Sequence, residues 1–234
     1  MKKNKIMLSV ISGLLVAAVA VGGTLAYLSD KSNMVTNTFN VGAGYEEDDD
    51  GHVGLWLDEI DIDGKDEEGN PATRTEIGNE YEDLQPGSIV EKDPTFHLTT
   101  GSTDSYVFAQ VTGVDEMIAA GYYFTVEEPE KLVDPATSAF NEKWVKVADN
   151  GVGGDAGFNG LYIYKDGVDG IVSGGEEMEA MFNWVKLGSD VDNEEFAAIA
   201  PSAVDIRGVA VQSANLTAEE AQVEAEKILA TMPY

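Results

Sequence analysis

The sequence predicts a mainly β chain, an antiparallel sandwich or barrel carrying a few short helices and acidic loops. Past residue 26, most apolar segments are short, β-branched or aromatic, and bounded by Gly, Asp, Asn or Pro, which is the pattern of strands. They recur at close, irregular spacing, as in sandwiches and barrels. Helical periodicity is confined to two pieces of the chain.

Taken in order, the strand candidates are HVGLWLDEI, GSIVEKDPTFHL, SYVFAQVTGV, YYFTVEE, KWVKVA, GLYIYK, NWVKL and VDIRGVAVQS. YIYKDGVDGIVS reads as a hairpin, because Asp166-Gly167 supplies a turn in which positive φ costs little. The first helical piece, Asp115 to Gly121, is short and ends at a glycine stop. The second, TAEEAQVEAEKILATM, is stronger. Thr217 and Glu220 form a capping box, and Ala221, Ala225, Ile228, Leu229 and Met232 lie close to one helical face that would pack on the sandwich.

The N-terminus has the plan of a secretory signal over residues 1–26: Lys2, Lys3 and Lys5, then an uncharged run from Ile6 to Ala26. Thr24 and Ala26 suit the small pockets of a peptidase, so cleavage is expected between Ala26 and Tyr27. The rival is an uncleaved anchor, since the run reaches the roughly 20 residues that span a bilayer. Gly13, Gly22 and Gly23 weaken that reading. Residues 27–44 then form an N-terminal strand segment, and residues 45–234 a single domain with an acidic insertion at about 58–86. No Pro/Ser linker divides that span into two cores.

The formal charge is −29, and the expected signal removes lysines but no acids. Such a surface repels phosphates and anionic headgroups, which argues against nucleic-acid binding and confines membrane contact to the time before signal cleavage. The absence of cysteine excludes thiol catalysis, cysteine–zinc sites and iron–sulfur clusters. An exported domain of this length needs no disulfides to build a core.

Neither His52 nor His97 has the HExxH spacing that sets two imidazoles on one helical face, and no serine sits in a Gly-x-Ser-x-Gly elbow. No catalytic residue is assigned. Carboxylate pairs carry no signal in a chain with 43 acidic residues. Glu59 to Asn70 has Asp61, Asp63 and Gly64 at the third, fifth and sixth places of a calcium loop, but ends in Asn70 instead of a bidentate Glu and lacks flanking helices. A solvated acidic loop is the simpler reading; Asp61 and Asp63 are the residues that would carry calcium, bound weakly as in extracellular modules. No cofactor is required. The glycines of residues 149–160 precede a strand rather than a helix and so do not form a phosphate cradle.

In MVTNTFNV, Val35, Asn37, Phe39 and Val41 share one side of an extended segment, the pattern of a strand that completes a sheet edge. Periodicity alone allows an ordinary first strand of the same domain equally well.

These segments resemble the SipW-dependent exported proteins of the TasA/camelysin family. TLAYLSDKSNMVTNTFNVG matches the family's export junction at Ala26, Tyr27 and Asp30 and its following segment at Asn37, Phe39 and Gly42, while Leu28 departs from the usual Phe. Pro86, Gly87, Lys92, Pro94, Gly101, Tyr106 and Val107 are similar to the next conserved block. KWVKVADN, NGLYIYKDGV and IRGVAVQSANL resemble its Trp, Tyr-rich and Ala-Val-Gln elements.

The resemblance implies a jelly-roll-like β-sandwich, processing by a SipW-type signal peptidase, and secretion to the extracellular matrix or cell surface of a Gram-positive bacterium. It further implies self-assembly into biofilm fibres by N-terminal strand donation. Alternatives are a camelysin-like cell-surface metallopeptidase, and a calcium-dependent adhesion or glycan-binding module using Trp56, Trp144 and Trp184.

Overall fold

The computed structural model describes residues 29–31, 44–62, 64, 74–76, 78–79, 81, 84–127, 137–149, 157–167, 169–189 and 203–232. The expected cleavage pair Ala26 and Tyr27, the strand residues Val35, Asn37, Phe39 and Val41, and Asp63 lie outside them.

The described residues form antiparallel strands with two helices. The strands are β1 (Ser29–Lys31), β2 (Leu55–Ile60), β3 (Arg74–Thr75), β4 (Ile89–Glu91), β5 (Thr95–Leu98), β6 (Ser105–Thr112), β7 (Tyr122–Thr125), β8 (Trp144–Asp149), β9 (Gly160–Tyr164), β10 (Trp184–Leu187) and β11 (Asp205–Gln212). A five-stranded sheet has the order β1-β11-β6-β9-β8, and two smaller sheets have the orders β4-β10-β7 and β3-β2-β5.

Alternation along the central strands builds two cores. Val107, Ala109 and Val111 of β6, with Tyr162 and Tyr164 of β9, face Leu55, Phe96, Leu98, Phe124, Val185 and Leu187 from the two small sheets. The intervening Tyr106, Phe108, Leu161, Ile163, Val209 and Val211 point the other way, onto helix α2 (Ala218–Leu229). Each fully buried side chain of this kind contributes about 1.5–3 kcal/mol. The predicted β-sandwich is therefore the observed architecture, with its large sheet covered on both faces. The capping box of α2 is present: the Thr217 hydroxyl accepts from the Glu220 amide, and the Glu220 carboxylate accepts from the Thr217 amide.

Three local expectations are corrected. GSIVEKDPTFHL does not run as one strand; β4 and β5 separate at Pro94, which has no N–H for a ladder, and join different sheets. The hairpin after β9 does not form. Its turn is present, with Gly167 at φ 81°, but both edges of β9 are taken by β6 and β8, and the returning chain bridges Val172 to Ser105. The acidic insertion expected from about residue 58 starts later, because Asp58 and Glu59 belong to β2, within the strand candidate HVGLWLDEI, and are buried. The first expected helix is present as α1 (Val114–Ala119) and is capped from a distance: Asn159 Oδ1 accepts the Val114 and Asp115 amides, and the Asp115 carboxylate in turn accepts the Phe158 and Asn159 amides.

Candidate functional site

The most organised polar region of the described residues surrounds β2. Trp56 and His97 are direct cross-strand partners on β2 and β5, which brings their rings together on one face of the sheet. The indole and imidazole stack with centroids 4.0 Å apart and planes 12° from parallel. His52, from the turn preceding β2, covers the other face at 4.0 Å and 7°. The two histidines, isolated in the sequence, thus sandwich one tryptophan.

Carboxylates hold both ends of this column. Asp48 Oδ1 accepts the Asp50 and His52 amides, closing a turn that aims Asp48 Oδ2 at His52 Nδ1, 2.9 Å away. Glu76 Oε1 lies 2.8 Å from His52 Nε2. An imidazolium satisfies both acceptors. Burial opposes the charge on His52, but the bonds to Glu76 and Asp48 outweigh it and raise the pKa. At the other end, His97 Nε2 lies 2.9 Å from Asp58 Oδ1, and Arg74 bridges Asp58 and Asp93 at 2.8 and 2.7 Å. Burial raises the Asp58 pKa, yet the hydrogen bonds from His97 and Arg74 prevail and leave it lowered. Glu177 Oε2 stands 3.7 Å from His97 Nδ1.

The neighbouring acid of β2 forms a second network. Glu59 Oε2 contacts Lys92 Nζ, while Glu59 Oε1 accepts from both the backbone and the side-chain nitrogen of Asn79 at 2.9 and 2.8 Å. Between β2 and the start of β11 lies a cleft of about 220 Å³, lined in part by Leu57, Glu59, Glu76, Lys92 and Asp205.

This geometry bears on the function classes drawn from sequence. Trp56 offers no free face to a sugar ring, and Trp144 is buried with its Nε1 donating to the Glu179 carbonyl. Two imidazoles with an indole between them cannot share an ion. Among the described residues neither histidine is hydrogen-bonded to a hydroxyl, so His97 and Asp58 resemble a base with its orienting acid but have no nucleophile beside them. Asp61 Oδ1 accepts the Gly64 amide at 2.8 Å, closing its own turn.

Among the described residues, Asp48, Asp50 and His52 could hold a metal, with donor atoms within 4.8 Å of one another. A cation there would have to displace the His52 Nδ1 proton. Sequence reasoning passed over this group, although the alternation of donors in DDDGH was its available signal. The Glu59–Lys92–Asn79 network had no such signal, since its members are far apart in the chain. No family model, curated protein or solved structure matches this chain.

Proposed function

We propose that this chain is a secreted structural protein of a Gram-positive cell envelope or biofilm matrix, assembling by donation of its N-terminal strand. The observation that carries the reading is the pairing of Ser29, Asp30 and Lys31 with Val211, Ala210 and Val209 on the outer side of β11. An N-terminal strand placed at a sheet edge is held by backbone bonds, and the same bonds serve whether it comes from its own chain or a neighbour's.

β1 spans three of the eight residues of β11. The residues of β11 that continue this edge, Gly208 to Asp205, lead toward the cleft that Asp205 shares with β2. The alternation of Val35, Asn37, Phe39 and Val41 then provides side chains for a groove on one face. Export and assembly are linked in this reading, because cleavage after Ala26 frees the segment to exchange between copies. The test is electron microscopy of the exported protein beside a variant lacking residues 27–42. Fibres in the first and folded monomers in the second are expected; fibres in both would overturn the reading.

A further inference from the structure

We propose that Lys92 and Asn79 are joined by an intramolecular isopeptide bond, with Glu59 moving the protons. The two reacting side chains are bound to the two oxygens of one buried carboxylate: Lys92 Nζ to Oε2, and Asn79 Nδ2 to Oε1 at 2.8 Å. The Glu59 side chain is 8% exposed and that of Lys92 15%. A plain ion pair in such a setting gains little over an apolar substitute once desolvation is counted. Lysine is a nucleophile only once it is deprotonated, and Glu59 is placed to take that proton.

The amide is oriented as an electrophile. Asn79 Nδ2 also donates to the Ile60 carbonyl at 2.7 Å, its backbone N–H donates to Glu59, and its Oδ1 accepts the Ile62 amide at 3.2 Å. That last donor stands where negative charge develops when the carbonyl carbon is attacked. Lys92 is held from its backbone, whose N–H donates to the Asn183 carbonyl at 3.0 Å, and its Nζ lies 5.8 Å from the centre of the Tyr81 ring. Side chains held on the two oxygens of one carboxylate react within one molecule, without the entropy cost of an encounter.

In the reaction, Glu59 takes a proton from the ammonium, and the Nζ lone pair attacks Asn79 Cγ to form the new C–N bond. Glu59 then gives the proton to Nδ2 as the Cγ–Nδ2 bond breaks. That transfer regenerates the carboxylate, and the ammonia leaves with the second Nζ proton as ammonium. Nothing is oxidised or reduced. The product closes a covalent loop over residues 79–92 and ties the segment after β3 to the segment after β4, in a chain with no cysteine to serve that purpose.

Tryptic peptide mapping of the full exported protein, denatured before digestion, tests this. Trypsin does not cut after an acylated lysine. The expected product is one peptide spanning residues 75–131, uncut at Lys92 and lighter by one ammonia, with fragment ions placing the branch at Asn79 and Lys92. Cleavage after Lys92, giving a peptide of residues 75–92 with its amide intact, would overturn the proposal. Ammonia loss on a peptide that is still cut at Lys92 would also overturn it, since that marks a succinimide. In Glu59→Gln, checked for folding by circular dichroism, cleavage at Lys92 is expected to return. A persisting cross-link in that folded variant would remove Glu59 from the reaction.

Discussion

Gly208 of β11 packs against Phe96 of β5 so closely that a Cβ on Gly208 would stand 2.2 Å from Phe96 Cε1. Leu55 Cδ2 would be 2.9 Å from that Cβ. The absence of a side chain at this point lets the β3-β2-β5 sheet sit down on the large one. Gly208→Ala is expected to destabilise by about 1–3 kcal/mol, the usual cost of overpacking a well-filled core. A urea titration checks it; an unchanged midpoint would show that the sheets are not in this contact.

Asp58 makes stability depend on acid pH. Its folded-state pKa is lowered, so its contribution is complete above the unfolded value and is lost as pH falls through the folded one. At neutral pH, Asp58→Asn is expected to cost about 1–3 kcal/mol, because Arg74 and His97 lose a shared buried acceptor. At acid pH, between the unfolded value and the lowered folded one, the gap between variant and parent should narrow, because the unfolded chain then takes up a proton that the folded carboxylate resists. Denaturation midpoints at the two pH values measure the difference, and a gap independent of pH would contradict the assignment.

Trp56 reports on its two histidines. Removing one ring of the stack in His97→Ala is expected to cost about 0.5–1.5 kcal/mol from the aromatic contact, in addition to the lost bond to Asp58. The freed indole face should become accessible to acrylamide. Steady-state quenching in a Trp144→Phe, Trp184→Phe background isolates Trp56; quenching no faster in the His97→Ala version would mean that the column does not exist in solution.

The proposed strand donation predicts a particular signature for Phe39. Phe39→Asp puts a carboxylate into the face that a neighbour's sheet would bury, a cost well beyond the roughly 1.5–3 kcal/mol that Phe39 returns. Fibres should be lost while the monomer melts as cooperatively as before. Loss of folding would instead make the segment an ordinary strand of its own domain, and unchanged fibres would remove Phe39 from the junction. Circular dichroism melts with negative-stain microscopy on the one variant distinguish these outcomes.

The sequence by itself determined the class of the fold and most of its elements. β-branched and aromatic runs such as SYVFAQVTGV carry strand preference locally, and the alternation that sends Val107 one way and Phe108 the other is written into neighbouring residues. The start of α2 was equally legible, since a capping box involves residues three apart. Only the tertiary structure decided which edges were available. The chain after Gly167 returns to Ser105 instead of β9 because β6 and β8 already flank β9. It also decided what the acids of β2 do. Asp58 and Glu59 read as the start of a solvated tract, yet they are buried because Arg74, His97, Lys92 and Asn79 converge on them from later parts of the chain. The stacking of His52 and His97 on Trp56 has the same origin: one partner comes from strand register and the other from a turn, and neither distance is encoded in a local period. Local propensity and periodicity act over a few residues, whereas burial and charge pairing depend on groups that only the folded chain brings together.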